Sequence, residues 1–423
     1  MTLIKTSLLN GIAVVVKMAT LLGINKILAV SVGPTGYAAL GQFQNAVQII
    51  TTFASGAINT GVTKYTAEYH NDEYRQRLVW RTAGTISLVG SMLSAIVIIL
   101  CRHQLAIWFL NDVNYSGVFV WFAATLVLFT SNSLLLAILN GKKEIVLYVV
   151  ANISGSLFAL IVTALLTAEF GLYGALIAMA IYQSLSFFIT LLICYKAYWF
   201  KLRYLIGSID KAAALKLGSY TAMALTSAIC VPLSHMTVRN HLGETVGWDA
   251  AGYWEAMWRL STAYLMLVTT TLSVYYLPRL SEIKDVVEIK AEIIQGYKII
   301  LPVAATAGVL IYLMRDLIIR ILFTESFTPM RELFALQMIG DTLKIGSWIL
   351  AYLMLGRALV KLFIISEILF AVGFVSLTYL FTEHFGLHGA VLAHAVNYFF
   401  YWIVMSVSMI YILNNQLKTY RAK

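Results

Sequence analysis

The chain has 423 residues, of which 60% are hydrophobic and only 12% are charged, and its formal net charge is +10. Soluble domains carry about 25% charged residues, so this composition excludes a soluble globular protein and predicts an all-α integral membrane protein. The basic excess needs no nucleic acid as partner, because it can face the anionic lipids of an inner membrane leaflet. The three cysteines and seven histidines are scattered, which predicts neither a disulfide framework nor a metal site.

Apolar runs long enough to cross a bilayer recur along the whole chain. A transmembrane helix needs about 20 such residues. We predict twelve spans, at residues 6–30, 36–60, 80–101, 117–139, 145–168, 171–195, 217–238, 253–277, 298–321, 330–355, 361–382 and 387–413. Because twelve is even, both termini lie on the same side of the membrane.

Basic residues are distributed unevenly between the loops on the two sides. If the N-terminus is inside, the inward loops hold most of the Lys and Arg, chiefly in 61–79, 196–216 and 278–297, and the outward loops hold few. Lys and Arg accumulate on the cytoplasmic side of membrane proteins. The pattern therefore predicts that both termini are cytoplasmic.

A repeated motif divides the chain into two halves. FGLYGALIAMAIY begins at Phe170, at the entry to span 6, and FGLHGAVLAHAVN begins at Phe385, at the entry to span 12. Seven of the thirteen positions are identical. Because each half holds an even number of spans, the halves share one orientation in the membrane. We predict two six-helix bundles, residues 1–205 and 206–423, in which the repeated glycines let neighbouring helices approach closely.

Polar residues inside the first two spans indicate a surface that faces protein or water. An ionisable side chain in a span costs about 2.5–3.5 kcal/mol on insertion scales. Lys17 lies near the middle of span 1, and no acidic residue lies inside spans 1 to 6. Its expected partner is therefore Glu255, Asp341 or the transported molecule. At helical spacing, span 2 carries a polar seam of Tyr37, Gln44, Gln48, Thr51, Ser55 and Asn59.

The second half carries a corresponding polar set. Span 7 contains Pro232, which can open a gap in the backbone hydrogen bonds, and span 8 repeats the seam of span 2 with charged residues. We predict that spans 1, 2, 7 and 8 line a cavity, to which spans 10 and 12 contribute. The candidate substrate-binding residues are Lys17, Gln44, Gln48, Asn59, His235, Arg239, Glu255, Arg259, Asp341, Lys344, His394 and Asn397.

Several of these residues have an alternative, structural interpretation. Glu255 with Arg259 at i,i+4, and Asp341 with Lys344 at i,i+3, have the spacing of ion pairs within one helix. The other structural interpretations are a hydrogen-bonded cluster between helices for His394 and Asn397 and contact with lipid headgroups for Arg239.

The charge balance of the candidate cavity limits what it binds. Its Lys and Arg residues outnumber its two carboxylates, which favours anions and disfavours organic cations. Aromatic side chains nearby, including Trp258 and Trp348, suit a sugar. These features predict an anionic or phosphate-linked glycan as ligand. An enzyme is disfavoured, because the loops hold no Gly-rich phosphate-binding segment and no Ser/His/Asp set, so no catalytic residue and no cofactor are predicted.

Four segments resemble the Wzx-type flippases of Gram-negative bacteria. They are KILAVSVGPTGYAAL from Lys26, GVTKYTAEYHND from Gly61, LSVYYLPRLSEI from Leu272 and FTPMRELFALQMIGDTLKIG from Phe327. They occur in order along the chain, and the branch that they resemble most handles enterobacterial common antigen. The resemblance implies the fold of the multidrug/oligosaccharidyl-lipid/polysaccharide superfamily, which has twelve transmembrane helices in two six-helix bundles arranged in a V around a central cavity.

The resemblance also implies an activity. An undecaprenyl-pyrophosphate-linked oligosaccharide would move from the cytoplasmic to the periplasmic leaflet of the inner membrane by alternating access, for enterobacterial common antigen or O-antigen assembly. Asp341 and Lys344 lie in the GDxLK part of the family pattern, and Lys64, in its TKY part, would lie at the cytoplasmic mouth. Coupling to H⁺ or Na⁺ is open, and a polymerase and a chain-length regulator are the implied protein partners. The alternatives are a cation-coupled multidrug antiporter and, from another class, a membrane-embedded glycan-processing enzyme.

Overall fold

The computed structural model describes residues 3–276, 279–280, 283, 285–357 and 359–421, with the side chains of 3–10, 219–220, 274 and 416–421 left aside. The described part of the chain is helical and contains no strand. Its helices are α1 (Leu3–Ser55), α2 (Asn59–Glu68), α3 (Glu73–Leu100), α4 (Arg102–Leu110), α5 (Ser116–Gly141), α6 (Ile145–Tyr195), α7 (Lys211–Thr245), α8 (Trp248–Thr271), α9 (Val286–Leu313), α10 (Arg315–Leu322), α11 (Phe334–Gly356), α12 (Val360–Phe385) and α13 (Leu387–Arg421). Short 3₁₀ turns cover Val113–Tyr115, Leu202–Tyr204 and Glu325–Leu333, and a π-helical turn covers Leu272–Tyr276.

The predicted spans correspond to these helices, with the largest difference at span 9: its predicted range, 298–321, starts well inside α9 and passes the end of that helix at Leu313 into α10. Among the described residues, nine helices are long and apolar enough to cross a membrane. Two of the nine, α1 and α6, are interrupted at Gly33 and Gly171, so each holds two predicted spans. The helix α8 is not among the nine, because Glu255 and Arg259 lower its hydropathy. With α8 and the two interruptions counted, the described helices account for all twelve predicted spans, although the predicted end of span 8 at residue 277 lies outside the described residues.

The repeated motif has the same backbone geometry in both copies. Gly171 and Gly386 both have positive φ, +57° and +52°, a conformation that glycine adopts at little cost. Three residues later the helix passes very close to the preceding one. A Cβ added to Gly174 would lie 1.8 Å from the carbonyl oxygen of Leu166, and one added to Gly389 would lie 2.4 Å from the carbonyl carbon of Phe381. The first glycine therefore allows the chain to reverse, and the second allows the two helices to approach.

Alanine at Gly389 is expected to destabilise the protein. The added methyl group would overlap backbone atoms, which cannot move aside as a flexible side chain can, and overpacking typically costs about 1–3 kcal/mol. We expect a lower melting temperature and less folded protein in the membrane. Gly218→Ala is the matched control, because no atom lies within 4 Å of a Cβ added there. Equal melting temperatures for the two variants would contradict this account.

The chain packs as two compact units. Unit 1 comprises Met1–Val32 and Ala39–Pro232, and unit 2 comprises Gly33–Ala38 and Leu233–Lys423. The helix α7 thus contributes to both. In its first half, which belongs to unit 1, Thr221 Oγ1 donates to the carbonyl of Gly56 (3.2 Å). The two units are defined by contacts between residues, whereas the predicted halves 1–205 and 206–423 are defined by the sequence repeat. The division into these two halves stays a prediction.

Unit 1 contains a hydrogen-bonded cluster that joins α2, α3 and the end of α5. Trp80 Nε1–H donates to Thr66 Oγ1 (2.9 Å), and the Gln76 amide donates to the carbonyl of the same threonine (2.8 Å). Lys142 Nζ donates to Gln76 Oε1 (3.1 Å). Burial lowers the pKa of the Lys142 ammonium, since the charged form loses hydration. The cluster fixes the loop between α5 and α6.

Candidate functional site

The predicted site residues of unit 1 lie mainly on exposed parts of their helices. Lys17, Gln44 and Gln48 are exposed on α1, and Lys64 is exposed on α2, where its Nζ lies 5.1 Å from the centre of the Tyr65 ring. The fifth, Asn59, is half-buried. Among the described residues, no carboxylate lies within 4 Å of Lys17 Nζ.

The polar seam predicted on span 2 does not continue to Tyr37. This side chain is fully buried in unit 2. Its ring packs edge-on against Phe327 and Phe323, with ring centres 5.4 and 6.2 Å away, and the guanidinium of Arg259 lies 5.2 Å from its centre. The prediction that Tyr37 shares a wet face with Gln44 and Gln48 is therefore wrong. Helical periodicity identifies residues that share one face of a helix, but not what packs against that face. Tyr37 lies in the segment Gly33–Ala38, which packs with unit 2, whereas Gln44 and Gln48 belong to unit 1.

A buried ion triad joins α7 to α8. Glu255 Oε2 accepts from Arg239 Nη2 (2.6 Å) and its Oε1 accepts from Arg259 Nε (2.7 Å). The three side chains are at most 9% exposed. The i,i+4 ion pair of Glu255 with Arg259, which is the structural interpretation of these two residues, is thus present in the fold. Contact of Arg239 with lipid headgroups is excluded, because its side chain is 1% exposed and is bound to Glu255.

A second buried network surrounds Asp341, in the first half of α11. Its Oδ1 accepts from His394 Nε2 on α13 (3.1 Å) and from the Gln337 amide (3.2 Å), and its Oδ2 accepts from the Tyr264 hydroxyl on α8 (2.8 Å). Gln337 also donates to Ser261 Oγ (3.2 Å). The carboxylate is fully buried, and these three donors compensate for its lost hydration.

Lys344 lies one turn from Asp341 but does not form with it the i,i+3 ion pair of the alternative, structural interpretation. Within the described part of unit 2, no carboxylate oxygen lies within 4 Å of Lys344 Nζ. The ammonium instead faces three aromatic rings, with centres at 4.7 Å (Trp258), 4.9 Å (Trp348) and 5.6 Å (Tyr398). Cation–π contacts stabilise an ammonium without neutralising its charge. The side chain as a whole is half-buried, and the rings of Trp258, Trp348 and Tyr398 enclose its ammonium.

Trp258 connects the predicted residues of unit 2. Besides Lys344, its ring contacts His235 and His394, at centre distances of 4.3 and 5.0 Å. Asn397 is buried one turn beyond His394, and the hydrogen bond found for His394 goes to Asp341 rather than to Asn397. The interpretation of His394 as part of a buried interhelical network is therefore correct, with a different partner.

The sequence analysis did not single out Tyr398 or Ser261. Tyr398 follows His394 by four residues, so the same helical periodicity could have placed it on this face. Ser261 gives no such signal, because serine is common on buried faces of membrane helices. No group of His, Cys, Asp and Glu residues in the described ranges could hold a metal ion. The arrangement offers a cationic group, stacking surfaces and hydrogen-bonding groups, which are means of binding rather than of covalent chemistry.

Comparison with solved structures identifies the fold. A multidrug resistance MATE family transporter of the MOP superfamily in an inward-facing conformation superposes with a TM-score of 0.79, at 14% identity over 95% of this chain and 96% of that chain. A MOP superfamily transporter from Pyrococcus furiosus Vc1, described as having a binding pocket of reverse polarity, gives a TM-score of 0.69 at 14% identity over 95% of each chain. The predicted all-α membrane fold is therefore confirmed, and it is the fold that these solved structures share.

Comparison of sequences identifies the family. Residues 3–284 match the model of a polysaccharide biosynthesis protein family. The chain is 31% identical over 403 residues to proteins named Lipid III flippase from Escherichia coli (strain K12) and Shigella flexneri, which covers 95% of this chain and 97% of each relative. The resemblance to Wzx-type flippases is thereby confirmed, and the chain belongs to the polysaccharide biosynthesis protein family of membrane transporters.

Proposed function

We propose that this protein is a flippase that moves an undecaprenyl-pyrophosphate-linked oligosaccharide across the membrane for surface polysaccharide assembly. The near full-length similarity to proteins named Lipid III flippase carries this proposal and favours enterobacterial common antigen over O-antigen. The prediction of a transporter rather than an enzyme is confirmed by the same relatives. The likeness to multidrug transporters supports only the fold, because the identity is 14%.

The location and orientation form part of the proposal. We place the protein in the bacterial inner membrane, as the family resemblance implies. Both termini would lie in the cytoplasm, because the loops on the same side of the membrane as the termini hold most of the Lys and Arg residues. The substrate would enter from the cytoplasmic leaflet and leave in the periplasmic leaflet by alternating access. A polysaccharide polymerase and a chain-length regulator are proposed partners, on the basis of the family resemblance alone.

Lys344 is the residue that the geometry supports best as a substrate contact. Its ammonium is surrounded by aromatic rings and has no carboxylate oxygen within 4 Å in the described ranges. This suits an anionic group attached to a sugar, since sugar faces pack on aromatic side chains. Arg239 and Arg259, by contrast, share one carboxylate, which reduces their net attraction for an anion. The other residues proposed to contact the substrate are Lys17, Gln44, Gln48, Asn59, His235 and Asn397, with Lys64 at the cytoplasmic mouth. For Asp341 and His394, which are bonded to each other, we propose an indirect role through Lys344.

Export in a strain without its own lipid-linked oligosaccharide flippase tests the proposal. The expected result is that the wild-type gene restores surface polysaccharide, measured with a polysaccharide-specific antibody, and that inner-leaflet intermediates fall at the same time. Full expression of folded protein without any restoration would overturn the proposed function.

Resistance to cationic dyes tests the antiporter alternative. The surplus of Lys and Arg disfavours lipophilic cations, so cells carrying the protein are expected to show unchanged ethidium efflux and growth. A dye efflux that rises with expression and collapses with the ion gradient would favour a cation-coupled multidrug antiporter. Proton or sodium coupling of the flippase itself, through Glu255 or Asp341, is measured separately by export in ionophore-treated cells.

A further inference from the structure

We propose that His394 is a positioning residue: it holds the Asp341 carboxylate away from Lys344 and so keeps the Lys344 ammonium open to an anionic ligand. The inference rests on the proposed function for the nature of that ligand, a phosphate group carried on a lipid. It assigns to the buried Asp341–His394 pair a role in binding without contact with the ligand.

Local spacing alone would pair Asp341 with Lys344. Opposite charges at i,i+3 on a helix are close neighbours, and a half-buried ammonium gains strongly from a nearby carboxylate. The pair nevertheless stays apart, since no carboxylate oxygen in the described ranges lies within 4 Å of Lys344 Nζ. A competing set of donors must therefore satisfy Asp341.

His394 supplies the decisive donor. An ionised carboxylate only accepts hydrogen bonds, so His394 Nε2–H donates to Asp341 Oδ1 across 3.1 Å. Both side chains are completely buried, where such a bond is electrostatically strong. Gln337 and Tyr264 complete the shell of the carboxylate. With its donors in place, Asp341 gains little from turning to Lys344.

His394 also supports the aromatic rings that surround Lys344. Its imidazole contacts Trp258 and Tyr398 edge-on, both at centre distances of 5.0 Å and with interplanar angles of 78° and 74°. The same two rings face the ammonium. His394 therefore restrains the Asp341 carboxylate and also two of the three aromatic rings that surround the Lys344 ammonium.

Second-site rescue distinguishes this role from a merely structural one. In His394→Leu, Asp341 loses its donor and can turn to Lys344, so the affinity for an anion falls. Adding Asp341→Asn removes the competing negative charge and restores the affinity. If His394 only supported packing, the second substitution would remove another buried interaction and make binding weaker or leave it unchanged.

The experiment measures binding of undecaprenyl diphosphate to the full-length protein in nanodiscs of neutral lipid. We expect His394→Leu to weaken binding about tenfold, the effect of losing one charge-assisted contact, and His394→Leu/Asp341→Asn to bind within about threefold of wild type. His241→Leu is the matched control, because it removes another histidine of unit 2, bonded to Thr382 (2.6 Å), and touches no carboxylate in the described ranges. It is expected to bind as wild type does, with or without Asp341→Asn.

Tyr264→Phe provides a second variant if His394→Leu fails to fold. It removes the donor to Oδ2 with little change in volume, so we expect a smaller loss, about threefold, that Asp341→Asn again reverses. Failure of Asp341→Asn to improve binding in either folded background overturns the inference, as does a wild-type protein that does not bind undecaprenyl diphosphate. The proposed function is judged independently by export: a wild type that restores export while rescue fails refutes only the role of His394.

Discussion

Glu255→Ala is expected to remove most of the folded protein from the membrane. The substitution leaves the guanidinium groups of Arg239 and Arg259 buried without the carboxylate that binds both. Breaking a buried ion pair by removing one partner typically costs about 3–5 kcal/mol, a large share of the stability of a domain. The measurement is the amount of monodisperse protein after extraction, together with its melting temperature.

Replacing the whole triad is expected to be less harmful than replacing Glu255 alone. In Arg239→Met/Glu255→Leu/Arg259→Met, no charge remains buried at this position, and apolar replacement of a buried ion triad is often neutral or stabilising. The triple variant should therefore melt at a higher temperature than Glu255→Ala. If the single variant is as stable as wild type, the triad does not hold α7 to α8. If the triple variant is the less stable of the two, the uncompensated charge is not the cause of the damage.

The sequence predicts the helices and their interruptions well because these depend on local features. Apolar length determines the spans, and glycine positions such as Gly171 and Gly386 mark the reversals. The pair of Glu255 with Arg259 is also local, since four residues separate the two side chains on one helix. Such features need no knowledge of which helices are neighbours.

The partners of the site residues are less predictable because they come from other helices. Arg239 has the sequence position of a residue near the membrane surface, yet it is bound to Glu255 from α8. Asp341 has the spacing to pair with Lys344, yet Tyr264 and His394, from two other helices, bind its carboxylate. Tertiary contacts decide between a local pair and a distant one, and a single sequence contains no record of them.

Lys344→Met is expected to lower export strongly while leaving the protein as stable as wild type or more stable. Removing this ammonium breaks no ion pair within 4 Å in the described ranges, and the buried Asp341 carboxylate keeps the donors His394, Gln337 and Tyr264. The variant also no longer loses the hydration energy of a half-buried cation. A gain in stability with a loss of function is the pattern of a residue retained for binding.

The two readouts for Lys344→Met are the rate of surface polysaccharide appearance and the melting temperature in detergent. We expect export to fall at least about tenfold, as when a single charged contact is lost, and the melting temperature to stay level or rise. Lys344→Arg should retain part of the export, because a guanidinium also binds anions and stacks on aromatic rings. The matched control is Lys361→Met, at an exposed lysine near the start of α12, which should change neither readout. A parallel fall of export and melting temperature in Lys344→Met would instead assign this lysine to the packing of unit 2, since removing a charge that serves only to bind substrate cannot weaken the fold.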